Sequence, residues 1–278
     1  MERLHCVGVN IGTTFDASAV AVAFTITLLA GISTGIGGVL VALKSNPSNR
    51  FLAGSLGFSA GVMIYISLME LLPGGIDDLA GVYGDRGDLY GVLAFFGGVL
   101  LIAVIDRLVP EPINPHEFPD EGGRLQASTT MMRAGLLTGV AIAIHNFPEG
   151  LATFIAALGD PTLALPIAVA IAVHNIPEGI AVAAPLREAT GKKWRAAGWA
   201  TLSGLAEPLG AAIGFLLLMP FMGPATLGLA FAAVAGIMVF ISFDKLLPSA
   251  IATGAHHHCV YGVIAGMALM AGSLIALN

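Results

Sequence analysis

Long apolar runs alternate with short polar breaks along the whole chain. A helix needs about 20 residues to cross the hydrocarbon core of a bilayer. Runs of that length fall near 18–43, 51–73, 89–109, 131–158, 161–185, 195–219, 224–247 and 259–277. The runs are continuous and do not alternate residue by residue, so the pattern predicts helices, not the strands of a porin-like barrel. The first run is too long for the core of a signal peptide and counts as a span. Residues 110–130 are the longest polar connection. They are rich in Pro and Gly and hold Glu111, His116, Glu117, Asp120 and Glu121, which predicts a flexible loop and no separate domain.

Composition narrows the class. The 278 residues are 56% hydrophobic and only 11% charged, too few polar side chains to cover a soluble domain of this size. An all-α integral membrane protein with a single transmembrane domain follows. The formal net charge is −6 and no basic stripe exists, which excludes a nucleic-acid partner. Cys6 and Cys259 are the only cysteines, so no disulfide framework is present.

Eight spans put both termini on one side. Of the 12 basic residues, only Arg3 and Arg86 then share that side, and the other ten face the opposite one. The positive-inside rule makes the basic side cytoplasmic. The expectation is a multi-pass protein of the inner (plasma) membrane with both termini outside. Cys6 and Cys259 then lie on opposite sides and cannot pair.

The chain also repeats itself. Residues 60–73 read AGVMIYISLMELLP and residues 235–248 read AGIMVFISFDKLLP, identical at 8 of 14 positions. Tyr90-Gly91-Val92 matches Tyr261-Gly262-Val263, and Leu29, Gly31 and Gly37 match Leu202, Gly204 and Gly210. Spans 1–3 thus resemble spans 6–8. The sets are five spans apart, so they cross in opposite directions, the signature of inverted repeats. Spans 4 and 5 form a further pair, HNFPEGLA at 145–152 and HNIPEGIA at 174–181. The organisation is 3+2+3, with kinks expected in the central helices at Pro148 and Pro177.

The central pair carries the chemistry. His145 and Glu149 stand at i and i+4, as do His174 and Glu178, so each pair shares one helical face. Glu207 lies at a similar depth in span 6. Ionisable groups at the bilayer centre cost a few kcal/mol each, and three carboxylates there repel one another. A divalent cation offsets both penalties. Pro148 and Pro177 lack the N–H that would satisfy the carbonyls of Ile144 and Val173. Asn146 and Asn175 then turn toward the same cavity. Imidazole, carboxylate and amide donors without thiolate suit Zn²⁺ and its neighbours Fe²⁺, Mn²⁺, Co²⁺ and Cd²⁺.

The doubled HNFPEG and HNIPEG motifs, the eight spans and SGLAE at 203–207 resemble the ZIP family of divalent-metal transporters, and bacterial zinc transporters within it above all. The resemblance covers nearly the whole chain. It implies uptake of Zn²⁺ and related divalent cations into the cytoplasm, with these ions as substrate and no prosthetic group. It also implies a binuclear site: His145, Glu149, His174 and Glu178 on one metal, and Asn146, Asn175 and Glu207 on the second, with Glu149 and Glu178 bridging. Met63 matches a position close to the first metal. The loop between spans 3 and 4 has His116 alone, where many eukaryotic members are His-rich.

Secondary features are weaker. Glu70, near the outer end of span 2, can recruit cations with the acidic loop of Asp77, Asp78, Asp85 and Asp88. Asp244, near the inner end of span 7, can receive them. Asp106 beside Arg107 reads as an interfacial pair. His256-His257-His258 reads either as a metal-binding run or as an ordinary polar loop. The partners expected are divalent ions and the lipid bilayer. Oligomeric state stays open, with a homodimer as a candidate assembly. The competing function is an intramembrane metal-dependent hydrolase. It lacks an HExxH signature and, with two metals bound, a free midplane carboxylate to act as base, so the chain reads as no enzyme.

Overall fold

The computed structural model describes residues 17–43, 48–108, 124–159, 161–218, 221 and 223–277. These residues are helical almost throughout, with no strand among them. The helices are α1 (Ala17–Leu43), α2 (Asn49–Ile66), α3 (Leu72–Tyr83), α4 (Gly87–Leu108), α5 (Arg124–Gly159), α6 (Pro161–Thr190), α7 (Lys193–Gly204), α8 (Ala206–Leu218), α9 (Pro224–Ile241), α10 (Leu247–Ala252) and α11 (His256–Leu277). Residues 124–130, which the sequence assigns to the polar loop, are the opening turns of α5. The rest of that loop up to residue 123, and Cys6, lie outside the described residues.

Local signals set several helix ends. Ser48 caps α2 by accepting from the Phe51 N–H at 3.3 Å. Pro224 opens α9, where its missing N–H costs nothing. Gly191 closes α6 with φ 66°, a left-handed conformation that favours glycine.

Five stretches of the described residues are long and apolar enough to cross a membrane: Ala17–Leu43, Asn49–Arg107, Lys193–Leu217, Pro224–Ala252 and His256–Ile275. The second has 59 residues, roughly 90 Å if straight, well beyond one bilayer. It turns at Gly84, and α3 packs back on α4, so it is a hairpin. The exposed surface is apolar, with Phe96, Leu100, Leu216 and Ile275 all more than 60% exposed. Water does not tolerate such a surface, and lipid does.

Two π-helical segments interrupt the long helices, at Ser67–Leu71 and Ser242–Leu246. They occupy equivalent places in the two repeats. Each opens on a serine whose hydroxyl donates four residues back, Ser67 Oγ to Met63 O at 2.6 Å and Ser242 Oγ to Met238 O at 2.8 Å. Each is followed by a proline, Pro73 or Pro248, whose absent N–H breaks the α-helical ladder.

Helices α5 and α6 are assigned as helical through Pro148 and Pro177. In span 6, α7 ends at Gly204 and α8 begins at Ala206, so the helix is interrupted at Leu205, two residues before Glu207. One correction concerns Asp106. It pairs with Lys245 Nζ at 2.6 Å, not with Arg107, because α4 packs against α9 and the π segment that follows α9 carries the lysine to it.

Packing divides into two groups. The pairs α2–α11 and α4–α9 make one, and α1–α6, α5–α8, α5–α6 and α1–α7 make the other. Gly31 and Gly204 meet where α1 crosses α7, each set against the other's backbone carbonyl, with no room for a Cβ. Gly204→Val is expected to lower stability by about 3 kcal/mol, by overpacking. Gly198→Val, at a position with nothing within 4 Å, serves as the control. Thermal unfolding in detergent checks this: equal melting temperatures for the two variants would contradict the assigned crossing.

Candidate metal site

The doubled motif brings its polar side chains to one buried place. Asn146 and Glu149 come from α5, His174, Asn175 and Glu178 from α6, and Glu207 from the first turn of α8. All six are at most 1% exposed. In each motif the Glu stands four residues after the His and three after the Asn, which puts the polar atoms on the face where α5 and α6 pack together. The backbone of His145 lies in α5, but its side chain is outside the described residues.

The contacts are specific. His174 Nε2 lies 2.7 Å from Glu149 Oε1. Asn175 Nδ2 donates to Ala30 O on α1 at 3.0 Å and also to Glu207 Oε1. Ser59 Oγ on α2 donates to Glu178 Oε1 at 3.0 Å. Among the described residues, Glu149 Oε2, Asn175 Oδ1, Glu207 Oε2 and both amide atoms of Asn146 have no hydrogen-bond partner. Buried polar atoms of this kind are expensive to leave bare, and the four oxygens among them are the type of acceptor that a cation satisfies. Three carboxylates at one place add mutual repulsion, which a divalent ion relieves.

No three His, Cys, Asp or Glu groups among the described residues close on one point as a finished metal cage. The contacts give the physical reason. Glu149 is drawn to His174, Glu178 to Ser59 and Glu207 to Asn175, so each carboxylate is held by its own neighbour.

The other residues singled out in the sequence are placed as follows. Met63 is fully buried one turn after Ser59, in a cluster joined by Ile144 of α5 and Ala181 of α6. Glu70 is half-buried in the first π segment. Asp244 sits in the second and binds Lys245 Nζ at 2.8 Å. Lys245 therefore already supplies a cation to both Asp106 and Asp244. His256, His257 and His258 are exposed at the start of α11, where the His257 ring stacks on Tyr261.

Sequence reasoning missed two participants, Ser59 and the Ala30 carbonyl. The one available signal for Ser59 was its i, i+4 spacing to Met63. Nothing in the sequence marks a backbone oxygen on α1.

Buried carboxylate, imidazole and amide groups on packed membrane helices define a polytopic membrane protein that handles cations. A family profile described as "ZIP Zinc transporter" matches residues 113–274. "Zinc transporter ZupT" of Corynebacterium efficiens is 60% identical over 264 residues, covering 94% of this chain and 98% of that protein. "Zinc transporter ZupT" of Corynebacterium glutamicum is 63% identical, over 91% and 98%. The protein of the same name from Streptococcus mutans is 55% identical, over 91% and 96%. The chain belongs to the ZIP zinc transporter family. It is a membrane transporter for a divalent metal and not an enzyme, and nothing in the structure favours a hydrolase.

Proposed function

We propose that this protein takes up Zn²⁺, with Fe²⁺, Mn²⁺, Co²⁺ and Cd²⁺ as further substrates, across the inner (plasma) membrane into the cytoplasm. The observation that carries this reading is the buried cluster on α5, α6 and α8, where Glu149, Glu178 and Glu207 stand with His174 and two amides. The relatives above are named as zinc transporters, and the donor set suits that ion. The proposed site is binuclear: His145, Glu149, His174 and Glu178 hold one ion, Asn146, Asn175 and Glu207 the second, with Glu149 and Glu178 bridging. Met63 adds a thioether near the first. Glu70 and Asp244 are proposed as pathway residues at the two mouths, Asp244 acting once Lys245 yields it.

The proposed frame is eight crossings in a 3+2+3 inverted repeat: α1, α2, α4, α5, α6, α7–α8, α9 and α11. The packing pairs support it. The α2–α11 pair is the counterpart of α9–α4, and α1–α6 of the α5 contact with α8. Gly179 rests on the Thr34 carbonyl, and Gly150 on the Glu207 carbonyl. The repeat alignment equates Thr34 with Glu207 and relates the two glycines through the doubled motif.

Two experiments test this reading. Cells expressing the protein should accumulate zinc faster than cells expressing His174→Ala, and equal rates would contradict the site. Cysteines placed near Asn46, Gly122 and Gly191 should resist an impermeant thiol reagent in intact cells, and one near Gly84 should be labelled. Labelling of the first three would overturn the orientation.

A further inference from the structure

The three buried carboxylates are held in different ways. Glu149 lies against His174, and Glu207 accepts from Asn175, so both are held from α6. Glu178 accepts from Ser59, which is on α2. Helix α2 packs chiefly on α11, in the group apart from the one that carries the carboxylates. The Ser59–Glu178 hydrogen bond therefore crosses from one packing group to the other, and it is fully buried.

Serine in a helix interior ordinarily turns its one hydroxyl proton to a carbonyl three or four residues back. Ser33, Ser67, Ser203 and Ser242 of this chain all do so. Ser59 instead gives its proton to a carboxylate 119 positions away in sequence. Nor does the shared helix packing explain it. The repeat alignment places Val234 opposite Ser59, and α9 packs on α5 as α2 packs on α6. Val234 has no hydroxyl, so the bond exists on one side of the pseudo-symmetric site.

We propose that Ser59 is a positioning residue for the transported cation: its hydroxyl sets the Glu178 carboxylate before the metal arrives, and links that carboxylate to the α2 face. This rests on the reading of Glu178 as a metal ligand. A carboxylate fixed in advance loses less conformational freedom on binding, so the gain is in affinity. The link also makes metal capture felt by the helix group that carries no carboxylate of the site.

The test uses the purified full-length protein. Zn²⁺ binding is measured by calorimetry in detergent, and KM and maximal rate of Zn²⁺ entry in proteoliposomes, for wild type, Ser59→Ala, Ser59→Thr, Ser59→Val and His174→Ala. Loss of a hydrogen bond to a charged group should weaken Zn²⁺ binding and raise KM about tenfold in Ser59→Ala. The maximal rate should change far less. Ser59→Thr should recover affinity, and Ser59→Val, of the same shape but without the hydroxyl, should not. Wild-type affinity in Ser59→Ala, or identical behaviour of Thr and Val, overturns the proposal. If His174→Ala loses zinc while Ser59→Ala keeps it, this inference alone fails. If His174→Ala also binds as wild type does, the site reading fails with it.

Discussion

Replacing His174 or Glu178 with Ala is expected to cut zinc uptake by about 100-fold, with the protein still folded and in the membrane. Changes to groups that merely support a metal ligand typically cost 10- to 100-fold, so loss of a ligand belongs at or above the top of that range. The fold should survive for a specific reason. Glu178→Ala removes one of three mutually repelling buried carboxylates, and in both variants alanine favours the helix. Uptake assays on membranes normalised for protein amount check this. Near-wild-type flux from both variants would remove His174 and Glu178 from the pathway.

Glu207→Gln is expected to lower zinc stoichiometry from two to one without abolishing binding on the histidine side. Glutamine keeps an acceptor oxygen for Asn175 Nδ2, so the α6–α8 contact survives. The substitution removes one negative charge and little else. Two cations a few ångströms apart need anions between and beside them to limit repulsion. The second ion has neutral amides where the first has imidazoles, so it loses most when Glu207 loses its charge. Elemental analysis of zinc per purified protein, with flux measured on the same samples, reads the effect. A stoichiometry of two in the variant, or of one in the wild type at saturating zinc, contradicts the binuclear arrangement.

Much of this architecture is written in short-range patterns. The apolar runs mark helices because a membrane leaves the backbone no other partner for its hydrogen bonds. The doubled motif marks the site because His, Asn and Glu at successive offsets share one helical face wherever the helix goes. Proline signals a missing hydrogen bond; α5 and α6 run on as helices through Pro148 and Pro177, whereas α7 ends at Gly204 and α8 starts at Ala206. The π segments escaped notice because their cause, a serine bond followed six residues on by a proline that interrupts the ladder, has no hydrophobic period. Asp106 was paired with Arg107 by adjacency, and only the packing of α4 on α9 brings Lys245 to it. Ser59 is the plainest case. A serine in an apolar run reads as a residue satisfied by its own helix, and its true partner is visible only when α2 meets α6.

The group α1, α5, α6, α7 and α8 holds the carboxylates, and the group α2, α4, α9 and α11 faces them with Ser59 and Met63. The π segments Ser67–Leu71 and Ser242–Leu246 are the places where the helices continuing from α2 and α9 deviate from regular geometry.

The most direct test of the central claim is entry of radioactive zinc into liposomes that contain only this protein. The account predicts time-dependent accumulation that saturates with zinc and is lost in His174→Ala. Wild-type vesicles that accumulate no more zinc than empty liposomes, or His174→Ala vesicles that accumulate as much as wild type, would contradict it.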